Sequence, residues 1–347
     1  MQKKTSIYDI ANALGITAST VSRALRGHSN ISQEITQQVK EMAKKMNYRK
    51  NTVAVNLKNG YTKTIAVIIP QLNRQFFASA IDGIEEIASK SGYNVIICQT
   101  RNDVTKEKKA VQLLSESVVD GFIISVVTDE SDYQHFRNVL DQQIPVVFFD
   151  RYPLASDFKR ICLDDFEASR HAVEQLASLG KRKIFHFSGL QHVSIWRERT
   201  RGYLEGMKNL GIEVPGEWIS ENTLTHEAGV RAAEKMIRDN NIPDAIFSSS
   251  DHPLIGALFV LRKNGYRIPE DIAMTGYGNE MFTSYTQPSL STIDQRSAEM
   301  GKEAFVQLMR MIKGESTPDE VVLRHKLIVR ESSTPAGGGS GAKKKSK

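Results

Sequence analysis

From Thr62 to about residue 334, short apolar runs alternate with segments of helical periodicity. The runs, rich in Ile, Val and Phe, lie at 65–69, 94–98, 121–125, 146–149, 183–187, 245–248 and 272–275. Continuous apolar runs are typical of strands buried on both faces, and helices between them cover the faces of a parallel sheet. The alternation therefore predicts an α/β core, with helices such as 77–91 and 106–117 between its strands.

Three short helical patterns precede this core, within residues 6–47. Ser6, Thr17 and Ser32 each stand where a helix would begin, because their hydroxyls can cap its first turn. The first pattern ends at Gly15, and the small residues Ala11 and Gly15 allow two helices to cross closely. The spacing predicts a helix-turn-helix, and a generic three-helix bundle is the alternative.

Charge is distributed unevenly along the chain, whose net charge is +6. Residues 1–60 hold ten Lys and Arg against three acidic residues, whereas residues 61–342 carry a small net negative charge. A basic module beside an acidic body indicates that the N-terminal part binds a polyanion such as DNA. A solvated basic face without a partner is the alternative.

The second helix of the module supplies side chains suited to reading DNA in the major groove. Ala18 can meet a thymine methyl group, Ser19 can bond a base edge, and Arg23 can donate two hydrogen bonds to guanine. Hydroxyls nearby suit phosphate oxygens, although capping or solvation would also explain each of them. The predicted DNA-contacting residues of the module are Tyr8, Thr17, Ala18, Ser19, Thr20, Ser22, Arg23 and Ser32.

Residues 48–60 form a short segment before the core. Asn51 is a possible cap for one or two helical turns, which are marginal alone in water and would order only against DNA and a second copy. Leu57 could then enter the minor groove as a wedge that bends the duplex. We predict DNA contacts from Asn51, Ala54, Leu57 and Lys58, and an ordinary linker is the alternative.

Several motifs in order along the chain resemble the LacI/GalR family of bacterial transcription regulators. They are the runs 21–25, 53–57, 148–151, 199–203, 274–277, 288–293 and 327–333, and the resemblance extends over residues 6–334. It implies a helix-turn-helix followed by a two-lobed, periplasmic-binding-protein-like core of parallel sheets flanked by helices. It also implies that Ala18, Ser19 and Arg23 read bases, that Leu57 is the minor-groove wedge, and that the chain binds an operator as a homodimer.

The expected organisation has four parts. They are a DNA-binding domain at 1–47, a hinge at 48–60, an effector-binding and dimerisation core at 61–334, and a flexible basic tail at 335–347. The resemblance places the passages between the two lobes near 161–164, 289–294 and 319–322. The N-lobe would then comprise about 61–161 and 293–320, and the C-lobe about 162–290 and 321–334.

Polar and aromatic side chains follow several strands of the core, where ligands of open α/β sheets bind. Aromatic rings that pack on an apolar ring face, with Arg and Asp beside its hydroxyls, suit a sugar or sugar derivative. The resemblance assigns the best-supported role, holding the effector, to Arg199. The predicted effector-binding residues are Phe76, Phe77, Asp150, Trp196, Arg199, Leu224, Ser250, Asp251, Gly278 and Asn279.

Each of these assignments has a structural alternative. Phe76 and Phe77 could belong to the core, Trp196 could be a surface aromatic, and Asp150 with Arg151 could form an ion pair between the lobes.

The chain departs from the family pattern at three positions. Lys50 stands where the family usually has proline before the hinge asparagine, so the hinge geometry is less constrained. Gly278 replaces an Asp that accepts from effector hydroxyls in sugar- and purine-responsive relatives, and Ser250 replaces an Asn. A pocket without these two anchors would take an atypical or less hydroxylated ligand, or no ligand.

Other function classes lack the necessary residues. Gly276–Tyr277–Gly278 lacks the rest of a dinucleotide fingerprint, and no phosphate-binding loop or metal-ligand spacing is present in the sequence. We therefore expect neither an enzyme nor a cofactor or metal. The absence of an export signal and of a long apolar stretch predicts a cytoplasmic protein that does not contact membranes. A soluble sugar-binding protein of the periplasmic class without DNA function is the alternative.

Overall fold

The computed structural model describes residues 5–48, 61–116, 119–127, 133–153 and 157–334. The chain divides into two compact units, Met1–Thr62 and Lys63–Lys347. The predicted DNA contacts at Asn51, Ala54, Leu57 and Lys58, the Lys50 departure and the basic tail all lie outside the described residues. Among the helices that are described, none is both long and apolar enough to cross a membrane.

The first unit contains three helices that begin at the predicted caps. They are α1 (Ile7–Leu14), α2 (Ala18–Leu25) and α3 (Gln33–Lys45). Ser6 and Asp9 form a reciprocal capping box at α1, while the hydroxyls of Thr17 and Ser32 accept from backbone amides of α2 and α3. Gly15 ends α1 with a φ of 64°, a conformation that glycine adopts without steric cost.

One apolar core holds these three helices together. Its buried members are Ile10, Ala11, Val21, Ala24, Val39 and Ala43. Of the two small residues predicted to let the first two helices cross, Ala11 is buried in this core, whereas Gly15 is exposed and a Cβ there would meet no atom within 4 Å. The α1 and α2 pair is a helix-turn-helix.

The second unit contains two six-stranded sheets. The first has the order β11-β5-β4-β3-β1-β2 and the second the order β12-β10-β9-β8-β6-β7. Every neighbouring pair is parallel except β10 with β12. The strands are β1 (Thr64–Ile69), β2 (Asn94–Gln99), β3 (Gly121–Ile124), β4 (Val146–Phe149), β5 (Lys159–Leu163), β6 (Ile184–Phe187), β7 (Ile219–Ser220), β8 (Ala245–Ser248), β9 (Ala273–Tyr277), β10 (Ser291–Asp294), β11 (Glu320–Leu323) and β12 (Lys326–Ile328).

Helices cover the faces of both sheets and make each one the centre of a lobe. They are α4 (Gln75–Lys90), α5 (Val104–Ser115), α6 (Gln134–Asp141), α7 (Asp165–Ser178), α8 (Ser194–Asn209), α9 (His226–Arg238), α10 (Asp251–Lys263) and α11 (Ser297–Ile312). Helix α4 packs so closely on α11 that a Cβ at Gly83 would lie 2.1 Å from the carbonyl oxygen of Ala298. Glycine is thus required at that crossing.

Three passages connect the lobes, and the strands correct the predicted boundaries. Strand β5 stays in the first sheet through Leu163, so the N-lobe extends beyond the predicted limit at 161. Strand β10 pairs with β9 and β12 through Asp294, so residues 293–294 belong to the C-lobe. Strand β11 pairs with β5 through Leu323, so residues 321–323 belong to the N-lobe. Hydrogen-bonded pairing, rather than the apolar pattern, sets where each strand ends.

Candidate functional site

Helix α2 exposes most of the side chains predicted to contact DNA. Ser19 and Arg23 are exposed, and Ala18 is half-buried between them and the core. Thr17 caps α2, and its hydroxyl lies 2.7 Å from the hydroxyl of Ser19 and 2.9 Å from that of Thr20. The first turn of α2 therefore presents a compact group of hydroxyls next to the Arg23 side chain.

Three other predicted DNA contacts are also accessible. Tyr8 is exposed on α1, and Ser32 is exposed although its hydroxyl accepts from the Ile35 amide. Ser22 is half-buried, and its hydroxyl accepts a 2.8 Å hydrogen bond from Arg26. Arg26 is a residue that the sequence analysis missed, although its i, i+4 spacing from Ser22 was a usable signal. The surface adds a second guanidinium to that of Arg23.

The second unit contains a cavity of about 580 Å³ between its two lobes. Helices α4, α8 and α10 begin at its wall, and none of the three has a side-chain cap. Their first amide groups are therefore available to acceptor oxygens. The lining includes Gln71, Arg74, Phe76, Phe77, Asn102, Asp150, Arg151, His192, Trp196, Arg199, Asn222, Leu224, Thr225, Ser249, Ser250, His252, Tyr277, Gly278, Glu280 and Gln295.

Arg199 lies at the centre of a buried polar network in the cavity wall. Its Nε donates to Asp165 Oδ1 at 2.7 Å, and its two terminal nitrogens donate to the carbonyl oxygen of Ser249 and to Gln295 Oε1. The guanidinium also lies 3.6 Å from the centre of the Tyr277 ring, and the Tyr277 hydroxyl donates to Asp165. Burial acts to lower the pKa of Arg199, but Asp165 and Tyr277 raise it. Arg199 therefore remains charged.

Asp150 and Arg151 both follow β4 and belong to the N-lobe, so they do not bridge the lobes. Asp150 has a φ of 60° and is only 8% exposed, and its carboxylate accepts a long 3.4 Å bond from Ser125. Arg151 Nε lies 3.9 Å from that carboxylate. Burial raises the pKa of Asp150 to about 6, and the charges of Arg151 and Arg199 oppose the rise. Asp150 thus brings an incompletely bonded carboxylate to the cavity.

Aromatic rings form part of the wall on each side of the cavity. Phe77 is buried in the core, and Phe76 is half-buried and stacks on Phe149 with centroids 6.5 Å apart. The ring of Trp196 lies 4.8 Å from the Arg199 guanidinium and packs on Gly189, where a Cβ would be 2.4 Å from Trp196 Cγ. The contacts with Phe149 and Gly189 therefore hold the rings of Phe76 and Trp196 in place.

Asp251 and Asn279 do not line the cavity. Asp251 is fully buried, and its carboxylate accepts from the Thr292 hydroxyl at 2.7 Å and the Glu280 amide at 2.9 Å. Asn279 is bonded to Thr292 and Asp294, and accepts from Arg330. Both side chains fasten the loop after β9 to its surroundings, which corrects their placement among the residues facing a ligand.

The remaining predicted residues reach the cavity. Leu224, Ser250 and Gly278 line it, and Gly278 has a φ of 132°, a conformation that favours glycine over a residue with a side chain. The sequence analysis missed Arg74 and Glu280, whose only signal was their position just after β1 and β9. Within the described residues, no three His, Cys, Asp or Glu side chains are grouped to hold a metal ion.

Gln75, at the start of α4, connects the two lobes beside the cavity. Its Oε1 accepts from the Met281 amide at 2.7 Å, and its Nε2 donates to the carbonyl oxygen of Asn279 at 3.4 Å. Both bonds cross from the N-lobe to the loop after β9. One side chain therefore joins the lobes through two hydrogen bonds.

Comparison with known proteins agrees with this architecture. Residues 62–331 match the model of the periplasmic binding proteins and sugar binding domain of the LacI family, and residues 6–51 match that of the bacterial regulatory proteins of the lacI family. The transcriptional repressor PurR of Vibrio vulnificus is 31% identical over 94% of this chain and 98% of its own. The transcriptional regulator DegA of Bacillus subtilis is 29% identical over 96% of this chain and 99% of its own.

Solved structures extend the comparison. A complex of the transcriptional regulator CelR with cellobiose is 27% identical with a TM-score of 0.71, and the match covers 95% of this chain and all of that one. A Lac repressor dimer bound to operator shares the fold, with a TM-score of 0.84 at 24% identity over 95% of this chain and 99% of that one. These relatives are transcriptional regulators and not enzymes. This chain belongs to the LacI family and is a transcriptional regulator, with a DNA-binding helix-turn-helix domain and a ligand-binding domain.

Proposed function

We propose that this repressor binds a near-palindromic operator as a homodimer in the cytoplasm, and that a sugar-like effector in the interlobe cavity changes its affinity for DNA. The observation that carries the proposal is the pairing of an exposed reading helix with a polar, aromatic-walled cavity in one chain. A DNA-binding helix does not require such a cavity, and such a cavity does not require a DNA-binding helix. A soluble sugar-binding protein would have no use for the first unit.

DNA recognition would depend on Arg23, with Ser19 and Ala18 on the same helix. A single helix offers few base contacts, and a twofold dimer doubles them and fixes the spacing of two half-sites. Selection of binding sites from random DNA tests this directly. We expect an inverted repeat, and recovery of a single asymmetric half-site would contradict dimeric reading.

Dimerisation is supported by large apolar side chains that the second unit exposes. Phe259, Met281 and Tyr285 are 64–79% exposed, and Ile97 is exposed on the edge strand β2. Apolar exposure of this kind is typical of surfaces that bind another protein. Analytical ultracentrifugation of the wild type and of a Phe259→Ser variant tests whether the Phe259 side chain helps to join two copies.

A sugar-like effector is supported by the chemistry of the cavity. Phe76 and Trp196 offer apolar ring faces, while Asp150 and the first amides of three helices offer hydrogen bonds. The related regulator CelR has been solved with cellobiose. A thermal-shift series with glucose, cellobiose and glucuronate, and with hypoxanthine as a nucleobase, tests the class, because a ligand raises apparent stability by mass action. Protection by hypoxanthine alone would contradict a sugar.

Effector and DNA should be linked. A ligand shifts the protein between two arrangements only by its differential affinity for them, typically about 1–3 kcal/mol of coupling. Reciprocity then requires that operator DNA change the effector affinity by the same factor that the effector changes operator affinity. Titrations in both directions measure this factor, and a factor of one would contradict the proposed coupling.

A further inference from the structure

The charged side chains that line the cavity are balanced. With Glu280 ionised, as it is when a ligand group donates to it, Arg74 and Arg151 are matched in number by Asp150 and Glu280, and the charge of Arg199 is matched by its partner Asp165. Burial and the nearby Arg74 lower the pKa of His252 to about 4, so His252 adds no charge at neutral pH. The side-chain charges of the cavity therefore give a phosphate or carboxylate no net attraction. The balance favours a neutral ligand.

Glu280 contributes an unmet hydrogen-bond acceptor to this cavity. Its backbone is fixed, because its amide donates to Asp251 Oδ2 at 2.9 Å and its carbonyl oxygen accepts from the Thr283 hydroxyl at 2.6 Å. Its half-buried carboxylate has no hydrogen-bond partner in the part of the chain that the structure describes. A ligand group that donates a hydrogen bond to such an unbonded, half-buried carboxylate stabilises it.

Arg74 faces the same end of the cavity from the other lobe. Its Nε donates to Gln71 Oε1 at 3.2 Å, and its terminal nitrogens have no partner among the described residues. Gln75, the residue after Arg74, bonds to the Asn279 carbonyl oxygen and the Met281 amide on either side of Glu280, which brings Arg74 and Glu280 to the same end of the cavity. They form no ion pair with each other and both line the cavity, so each can bond to a ligand group that both donates and accepts. A hydroxyl is such a group.

We propose that Arg74 and Glu280 form a specificity subsite that selects a neutral, polyhydroxylated ring, whose hydroxyls donate to Glu280 and accept from Arg74. The subsite deepens the proposed function and rests on it. Glu280 supplies a carboxylate two residues after Gly278. The backbone conformation of Gly278 disfavours any residue with a side chain at that position. The charge balance makes an acidic sugar a poorer ligand than its neutral counterpart.

Calorimetric titration of the full-length protein with glucose, cellobiose and glucuronate tests the subsite. Glucuronate replaces the hydroxymethyl group of glucose with a carboxylate, so the pair isolates the effect of charge. The variants are Glu280→Gln, which keeps the shape, and Arg74→Met, which keeps most of the stem from the opposite lobe. Glu315→Gln, at an exposed position outside the cavity, is the matched control.

We expect a neutral sugar to bind the wild type and the control equally, and to bind each subsite variant about tenfold or more weakly, as for a lost charged hydrogen bond. Glucuronate should bind the wild type more weakly than glucose. If a neutral sugar binds both subsite variants as tightly as the wild type, the subsite is wrong while the proposed function stands. If glucuronate binds best, the neutral class is wrong. If no sugar binds the wild type, the sugar effector fails, and the subsite fails with it. Melting curves of both variants establish that each is folded.

Discussion

Arg199 Nε donates to Asp165 Oδ1 at 2.7 Å, and through this bond the cavity wall is attached to a passage between the lobes. Asp165 begins α7 directly after the first passage, and Gln295, which accepts from the same guanidinium, lies just after β10 at the second. One side chain in the cavity therefore contacts two of the three connecting segments. A ligand that displaces Arg199 would act on both of them.

Loss of Arg199 should destabilise the second unit. Arg199→Ala leaves Asp165 buried without its cation, and breaking a buried ion pair in this way costs about 3–5 kcal/mol. Gln295→Ala removes one neutral acceptor and should cost about 1 kcal/mol. Urea denaturation followed by circular dichroism measures both, and equal losses would contradict the ion pair as the principal contribution. Titration with the identified effector should show that the folded fraction of Arg199→Ala no longer responds.

Arg23 should determine operator preference. Each Arg–guanine contact contributes about 1–3 kcal/mol of discrimination, so Arg23→Ala should bind operator and random DNA with similar affinity. Lys45→Ala, an exposed basic residue at the end of α3, is the control for loss of charge alone. Fluorescence anisotropy at two salt concentrations separates the loss of base discrimination from the loss of a positive charge. A variant of Arg23 that retains operator preference would exclude that residue from base reading.

Gly189 should be required for the position of the Trp196 ring. A methyl group there would lie 2.4 Å from Trp196 Cγ, so Gly189→Ala must move the indole and alter the cavity wall. We expect changed emission of the Trp196 ring together with weaker effector binding. The sequence contains two tryptophans, Trp196 and Trp218, so combining Gly189→Ala with Trp218→Phe assigns the change in emission to Trp196. Unaltered emission would show that the wall yields elsewhere.

Glu280 should make stability depend on pH. Burial and Asp251 raise the pKa of its folded-state carboxyl from 4.5 to about 7, so the folded protein holds this proton more tightly than the unfolded chain. Its contribution to the free energy of unfolding is therefore present at low pH and is lost as pH rises towards 7. Glu280→Gln should remove the part of this slope near pH 7, and the part near pH 6 remains because burial also raises the pKa of Asp150 and of Asp251 to about 6. Denaturation of both proteins across that interval measures it, and parallel profiles would contradict the raised pKa.

Effector affinity should change in the opposite direction. A hydroxyl that donates to Glu280 favours the ionised carboxylate, so affinity should increase as pH rises through about 7. Arg74 and Asp251 act on Glu280. Burial raises the pKa of Asp251 and of the cavity residue Asp150 to about 6, and the pKa of His252 is lowered to about 4. Calorimetry at several pH values measures the dependence, and Glu280→Gln should abolish the part of the rise near pH 7.

Local chemistry made the first unit predictable. Ser6, Thr17 and Ser32 each satisfy amides within their own first turn, and Gly15 supplies a left-handed residue, so the neighbouring sequence determines these ends. The lobe boundaries at 293 and 321 were misplaced because pairing with strands distant in sequence determines to which lobe β10 and β11 belong.

The cavity was only partly predictable for a related reason. Which loops meet at the strand ends follows from a parallel sheet, and this placed Phe76, Asp150 and Trp196 at the wall. The direction of each side chain depends on long-range hydrogen bonds. Asp251 faces Thr292 rather than the cavity, while Glu280, two residues past Gly278, faces inward. Asp251 and Glu280 both lie shortly after a strand end, so their sequence positions do not show which of them faces the cavity.

The two hydrogen bonds of Gln75 have a kinetic consequence. They join the lobes directly, so both bonds must break before the lobes separate. Exchange between the cavity and solvent would then be gated by an opening step, and the observed association rate would be reduced by the small fraction of molecules that are open. A regulator gated in this way would respond slowly to a brief pulse of effector and would release it slowly after the surrounding concentration has fallen. Its residence time, as much as its affinity, would determine how long the gene it controls stays in one state.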